Sequence, residues 1–396
     1  MSARKRLTLR RDEGAGVRLG RPWVFRDALE LPPGLASGDV VDLYDARASY
    51  VASGMVEPES PLTFRAWCLE AHEPIDAGLV RARVAAAAAW RSAAVGADVT
   101  ALRVCHGEGD HVPGLQCDVY ASEDGRHRIA VLRTDGRIGV AWEGPFIEAI
   151  VAAHAPTGVV VKNPHVDDGA ARVVRGTVPG EVAIRERERR FWVNVREGQK
   201  TGFFLDQRDN RSLVGRLSRG LRVLNLFSYT GGFSVAAALG GAQRVVSVDI
   251  AGPAIEVARR NFTLNGVDPS GHGFEAADAF DVLAEVATRR GDYDLIVLDP
   301  PSFAPSAKSL PRALKAYEKL NAMALSALAP GSWLASASCS SHVRESALLD
   351  LIARAAATAG RRVVVAGVHG AGPDHPNRLG WPEGHYLKFV LLRVLS

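Results

Sequence analysis

The sequence predicts an α/β protein. Its C-terminal half is a doubly wound, mostly parallel sheet with an antiparallel last strand, preceded by a small β domain and a central α+β domain. From residue 222 onward, apolar runs alternate with helix-length segments, the pattern of a parallel sheet covered on both faces. The last two apolar runs, RVVVAGV and YLKFVLLRV, are joined by HGAGPDHPNRLGWPEG, too irregular for a crossover helix. Without a crossover they cannot run parallel, so the final strand is expected to be antiparallel. The N-terminal segment instead alternates short extended runs with turn residues.

At 396 residues the chain exceeds what one hydrophobic core organises, and composition shifts near 73–78 and 190–200. The predicted domains are therefore 1–73, 74–190 and 191–396. In the first, GRPWVF, GDVVDLYD, YVASGMV and LTFRAWCLE read as strands punctuated by Pro32, Pro33, Gly34 and Gly38. The second opens with an alanine-rich helix over 75–96. Strand-like RVCHGEGD, LQCDVY and RIAVLRTD follow, then a helix over 142–154, then GVVVKNP and RFWVNVREG. In the third, strands are predicted at RVLNLFS, RVVSVDI, GFEAADA, YDLIVLD, SWLASAS and the two final runs. Helices fall between them at GFSVAAALGG, GPAIEVARRNFTLNG, DAFDVLAEVATRR, PRALKAYEKLNAMALSALA and RESALLDLIARAAATAG.

No apolar run approaches the ~18 residues needed to span a bilayer, and MSARKRLTLRRDE lacks the apolar core of a secretory signal, so a cytoplasmic protein is expected. Cys68, Cys105, Cys117 and Cys339 are far apart and form no CxxC pair, which argues against a zinc site and a disulfide framework. His106, His111, His369 and His375 share no metal-ligand spacing, and no metal is predicted. A net charge of +4 permits a polyanionic partner without requiring one. The run RERERR (185–190) is read as a solvated hairpin face rather than a phosphate patch, because glutamates interrupt the arginines. Trp23, Phe25, Trp67 and Trp90 offer faces for unpaired bases, but alternation within strands favours packing for two of them.

The chemistry-bearing residues recur at one place in the pattern, the carboxyl ends of the parallel strands, where doubly wound sheets bind ligands. FSYTGG, Asp249, Asp278, the DPP beginning at Asp299 and the SCSS around Cys339 all fall on that rim. Gly231 lets the backbone turn close to a ligand, and the rim lacks the GxGxxG of dinucleotide enzymes. Asp249 can accept both hydroxyls of a ribose. Asp278 is equally an acceptor for an adenine amino group and a helix N-cap. Two prolines after Asp299 stiffen the turn and leave its carboxylate and carbonyls facing the site. Cys339 is flanked by the small Ser338, Ser340 and Ser341, which leave its sulfur accessible. Carbon 5 of a pyrimidine is a poor nucleophile until a thiolate adds at C6, and a carboxyl group near N3 assists that addition in cytosine.

Several blocks resemble the RlmI-type 23S rRNA cytosine-C5 methyltransferases: GQKTGFFLDQRDNR (198–211), LNLFSYTGGFSVAAALGGA (224–242), DPPSFA (299–304), YEKLNAMAL (317–325), SCSSHV (338–343) and DHP…PEGHYLK (374–388). Upstream, RLGRPWVF and GDVVDLYD resemble that family's PUA-type RNA-binding domain, and HGEGDHVPGLQCDVY its EEHEE-type central domain. The resemblance implies a Rossmann-like class I methyltransferase sheet, S-adenosylmethionine as methyl donor, and 23S ribosomal RNA or an assembling large subunit as partner. It also implies Cys339 as nucleophile, Asp299 beside it, and a cofactor pocket drawing on Phe204, Asn225, Tyr229, Gly231, Asp249, Asp278 and Asp299. Lys200 and Arg208 lie in a matched block, where they contact RNA phosphate or cofactor carboxylate, or pair with Asp206 and Asp209 to brace the loop. A homodimer is plausible on the same resemblance. The DPP loop carries no cysteine, in keeping with the single-cysteine pattern.

Three other readings compete. Related DPP-loop sheets methylate guanine or adenine nitrogens without covalent help, and guanine-N7 relatives carry asparagine where Cys339 stands. A non-catalytic RNA-binding assembly factor would keep the fold as scaffold, though the intact FSYTGG, Asp249, DPP and Cys339 speak against decay. A nicotinamide oxidoreductase lacks its phosphate-binding glycine fingerprint.

Overall fold

The computed structural model describes residues 4–164, 170–304 and 306–396. Two compact units divide the chain. One comprises Met1–Arg185, Val193–Leu205 and Pro373–Gly384; the other comprises Glu186–Trp192, Asp206–Gly372 and His385–Ser396.

The first unit contains two sheets. Strands β1 (Lys5–Leu9), β2 (Trp23–Phe25), β3 (Leu29–Glu30), β4 (Val40–Tyr44), β5 (Tyr50–Val56) and β6 (Leu62–Cys68) form a six-stranded sheet in the order β2-β6-β5-β4-β1-β3, with helix α1 (Gly14–Arg18) beside it. Alternation puts Leu7, Leu9, Val41, Leu43 and Phe64 into one core, as period-2 patterning requires. Helix α2 (Ala77–Ala94) begins where the Asp76 side chain accepts from Leu79 N at 3.0 Å, an N-cap. Strands β7 (Ala101–His106), β8 (Leu115–Ala121) and β9 (Arg128–Thr134), helix α3 (Gly136–His154), and strands β10 (Gly158–Lys162) and β11 (Arg172–Gly176) follow. Their sheet has the order β11-β10-β9-β8-β7. Cys105 and Cys117 face each other across β7 and β8 as free thiols, and burial pushes both upward in pKa. Trp67 is buried in the core, whereas Trp90 is exposed on α2 and donates through Nε1 to Pro373 O at 3.1 Å.

Strands β12 (Glu181–Glu186) and β13 (Arg189–Asn194) form a two-stranded ribbon. The RERERR segment is thus a hairpin, but the expectation of a solvated face is wrong at Glu186 and Arg189, which are buried. Arg211 donates to Glu186 through Nε at 2.9 Å and through Nη2, and Arg189 Nε lies 3.3 Å from the same carboxylate. Burial raises the Glu186 pKa, but Arg211, Arg189 and Arg208 outweigh it and hold the group below its ordinary value. Glu186→Ala leaves these cations buried without their anion and is expected to cost about 3–5 kcal/mol in urea unfolding. Because the folded pKa is depressed, the wild-type contribution is present above the unfolded pKa of about 4.3 and is lost as pH falls through the folded value.

The second unit carries helices α4 (Arg208–Leu217), α5 (Gly232–Leu239), α6 (Gly252–Leu264), α7 (Ala279–Thr288), α8 (Leu310–Ala327) and α9 (Glu345–Thr358). Its strands are β14 (Arg222–Leu226), β15 (Arg244–Asp249), β16 (Gly273–Ala276), β17 (Leu295–Leu298), β18 (Trp333–Ser338), β19 (Val363–His369) and β20 (Lys388–Val394). They form one sheet in the order β16-β15-β14-β17-β18-β20-β19. β14 through β18 pair in parallel, and β20 is antiparallel to both β18 and β19, as expected from the missing crossover. Leu224, Leu226, Ile296, Leu298 and Leu334 pack against Tyr317, Leu320, Leu348 and Leu351 of α8 and α9. Strand order reverses between β15 and β17 on either side of β14, which puts a topological switch point at the end of β14. Among the described residues, no helix is long and apolar enough to cross a membrane.

Candidate active site

The rim of the second unit gathers most of the residues read from the sequence. After β14 the chain runs through Phe227, Tyr229 and Gly231, whose φ angles of 58°, 47° and 78° all lie in the left-handed region. Non-glycine residues there store strain, which clusters at ligand-binding turns. A Cβ on Gly231 would stand 2.9 Å from Ala258 Cβ in α6, so both conformation and close helix approach require glycine. The turn is pinned to β15: Ser228 N donates to Val248 O at 2.9 Å and Tyr229 N to Asp249 Oδ2 at 2.8 Å. Asp249 Oδ1 accepts from Ala251 N at 2.9 Å, so two backbone donors fix the carboxylate at the strand end. Ile250, next along, is 76% exposed and gives the rim an apolar surface.

Ser228 Oγ and Thr230 Oγ1 are buried in this turn without a hydrogen-bond partner. Buried hydroxyls are nearly always satisfied, and a polar ligand seated on the turn would satisfy them. Asn225 belongs to the strand that carries this turn. It is buried in β14, and its Nδ2 donates to Ser234 Oγ of α5 at 2.9 Å, so it braces helix against sheet. Asp278 is an exposed N-cap of α7, accepting from Phe280 N through Oδ1 at 2.7 Å, which leaves Oδ2 facing outward.

Asp299 and Cys339 end the neighbouring strands β17 and β18. Gln207 donates through Nε2 to Asp299 Oδ1 at 3.0 Å, and its own Oε1 accepts from Asn210 Nδ2 at 2.6 Å, so both ends of the amide are fixed. Cys339 Sγ lies 3.9 Å from Pro300 O, one residue beyond Asp299. Of the four cysteines, Cys339 is the one that is not buried. Burial pushes Cys68 up to about 11, the environment of a packing thiol rather than a reactive one. Tyr317 of α8 accepts from Ser338 Oγ at 3.2 Å. Burial first, and then the Cys339 and Asp299 charges, push it up to about 12, so it stays neutral.

Sequence reading missed Lys388. It is 3% exposed, and its Nζ donates to Ser340 O at 2.5 Å, Tyr386 O at 2.9 Å and, more weakly, His385 O at 3.5 Å. Burial lowers its pKa to about 8 against the opposing pull of Cys339 and Glu345. Its position in HYLK opposite SCSS on an antiparallel last strand was the available signal; the register pairs Ser338 with Lys388.

The 198–211 block divides between the units. Lys200 and Phe204 belong to the first, where Lys200 Nζ stands 4.6 Å over the Phe204 ring. Thr201 is 3.1 Å from Tyr120 Oη in the same unit. Arg208 belongs to the second unit and is 2% exposed, acting on Glu186. Arg208 was expected to contact RNA phosphate or cofactor carboxylate, or to brace the loop; the structure buries it beside the Glu186 cluster. Asp209 pairs with Arg187 at 2.6 Å.

A seven-stranded sheet with an antiparallel sixth member, a strained glycine turn after its first strand and a carboxylate at the end of its second are the architecture of a class I methyltransferase. Residues 146–365 match the model of the S-adenosylmethionine-dependent methyltransferases, and residues 7–68 match a PUA-like domain. The "Ribosomal RNA large subunit methyltransferase" of Deinococcus radiodurans is 38% identical over 416 residues, covering 99% of this chain and 98% of that protein. The "Ribosomal RNA large subunit methyltransferase I" of Pseudoalteromonas atlantica is 33% identical over 394 residues, covering 98% and 99%. Among solved structures, a methyltransferase complexed with SAH superposes with a TM-score of 0.87 at 22% identity, covering 98% of this chain and all of that one, a likeness of fold. The chain belongs to the S-adenosylmethionine-dependent methyltransferase family of which these large-subunit enzymes are members.

Proposed function

We propose that this protein methylates carbon 5 of a cytosine in 23S ribosomal RNA, through a covalent bond between Cys339 and C6. The observation that carries the reading is the pairing of the one unburied cysteine with the Asp299 turn. Nitrogen methylation needs no thiol there, whereas C5 chemistry needs both groups.

When bound, S-adenosylmethionine supplies a methyl group on a sulfonium, which departs as a neutral thioether. Its fit rests on the unsatisfied Ser228 and Thr230 hydroxyls for the polar amino-acid end, Asp249 for the ribose hydroxyls, Ile250 for one face of adenine, and Asp278 Oδ2 for the adenine amino group. The Cys339 sulfur bonds to C6 of the base. The C5=C6 electron pair shifts toward N3, which takes a proton from Asp299, and C5 becomes the nucleophilic end of an enamine that receives the methyl group. A base then removes the C5 proton; the electrons left behind restore C5=C6, the C6–S bond breaks with its pair returning to sulfur, and N3 returns its proton to Asp299. Gln207 donates to Asp299 Oδ1 and so orients the carboxyl group that shares the proton with N3. The PUA-like domain supplies RNA contacts that hold the target strand, since unpaired bases are the ones an enzyme can reach.

The test is methylation of ribosomal RNA lacking its natural modifications with radiolabelled S-adenosylmethionine, followed by digestion to nucleosides. Label in 5-methylcytidine is expected. Label in a guanosine or adenosine contradicts the reading and places the protein with the nitrogen methyltransferases.

A further inference from the structure

Cys339 and Asp299 present a charge problem. A thiolate and a carboxylate meeting at one turn repel each other, and each makes the other's ionised form harder to reach. The structure places a cation directly behind that turn. Lys388 opens β20 opposite Ser338, and its ammonium is bound by the carbonyl of Ser340, the residue after Cys339, together with those of Tyr386 and His385. Three acceptors take all three N–H groups of an ammonium, whereas a neutral amine would leave one carbonyl without a donor. Lys388 is thus seated so that the three carbonyls fit its ammonium form, the form present below its lowered pKa of about 8.

We propose that Lys388 is the positioning residue that holds Cys339 as a thiolate, its buried charge compensating the anions at the Asp299 turn. This rests on the reading of Cys339 as nucleophile. Other titratable groups around the pair include Glu345 at the start of α9, acting on Lys388, and Asp299 and Tyr317, both acting near Cys339. His385 and Tyr386 contribute backbone carbonyls to the lysine. Tyr317 stays neutral across the working range, Glu345 acts on Lys388, and Asp299 opposes a second anion. Of these groups, the lysine is the cation that favours the ionised sulfur.

The experiment is the rate of iodoacetamide alkylation of Cys339 as a function of pH, read by peptide mass so that the three buried cysteines do not contribute, on the full-length protein without RNA. Wild type is expected to show a midpoint below the ordinary thiol value of about 8.5. Lys388→Met is expected to raise that midpoint by about 1 to 2 units. Lys388→Gln keeps donors for the carbonyls but not the charge, and is expected to give the same rise. S-adenosylmethionine affinity serves as the check that each variant is folded. A midpoint unchanged in a folded variant, or a wild-type midpoint at or above about 8.5, overturns the proposal, and the wild-type arm decides even where neither variant folds. The readout needs neither RNA nor methyl transfer. A product methylated on nitrogen would sink the covalent mechanism without altering this measurement, and an unshifted midpoint would leave the identity of the product untouched.

Discussion

Replacing Cys339 with alanine is expected to lower kcat for methyl transfer by on the order of 10⁴-fold or more, the scale seen when a covalent nucleophile is removed. S-adenosylmethionine affinity should change by less than about threefold, because the sulfur lies beyond β18 while the proposed cofactor groups lie at the ends of β14, β15 and β16. That split is diagnostic. A packing cysteine flanked by small serines would tolerate alanine with a modest stability loss and little change in turnover. Single-turnover methylation together with calorimetric titration of the cofactor separates the two outcomes, and retained turnover in the variant contradicts the covalent route.

The second large effect is on cofactor binding. Asp249→Ala is expected to weaken S-adenosylmethionine binding by about 10²-fold, since hydrogen bonds to a charged group are each worth about 1.5–3 kcal/mol and tenfold in affinity is about 1.4 kcal/mol. The same carboxylate accepts from Tyr229 N and Ala251 N, so its loss also loosens the strained turn. Asp249→Asn retains one acceptor and is expected to fall between wild type and alanine. Turnover at saturating cofactor should be largely retained, because the interaction is made equally in ground and transition states. An unchanged dissociation constant in Asp249→Ala would remove the ribose assignment.

The sheet was legible because its strands carry continuous apolar runs and its helices carry apolar stripes, signals that survive without tertiary information. Helix α4 escaped the same reading because its buried face is polar. Arg208, Asn210, Arg211 and Ser212 are all buried, held by Glu186, Gln207 and the ribbon arginines, so no apolar period announces the helix. Arg208 shows the same limit, since a cation in a motif looks solvent-facing until its buried surroundings are located. Asp278 illustrates a different limit. N-capping and ligand contact ask for the same residue at the same place, and here one carboxylate oxygen caps α7 while the other faces out.

The segment between β19 and β20 was read as an irregular connection carrying a block of the resemblance, with no contacts assigned to it. Its residues 373–384 belong with the first unit, where Asp374 Oδ2 accepts from Arg103 N at 3.1 Å, Glu383 pairs with Arg21 at 2.9 Å, and Trp381 packs edge-on against Trp23 at 4.8 Å. Each of those contacts spans more than 270 residues of sequence, a separation that local patterning does not register. Lys388 was hidden likewise. A lysine at a strand start is usually a solvated edge charge, and only the antiparallel register against Ser338 puts it behind the cysteine.

The most direct test of the covalent claim is to present the enzyme and S-adenosylmethionine with ribosomal RNA in which cytidine is replaced by 5-fluorocytidine. Addition of Cys339 to C6 and methyl transfer to C5 proceed with fluorine present, but the fluorine cannot be removed as a proton, so the final elimination stalls. The expected result is a denaturant-resistant protein–RNA complex that carries the transferred methyl group, maps to the peptide containing Cys339, and is absent with Cys339→Ala. Methylated RNA released without any such complex would contradict the covalent mechanism.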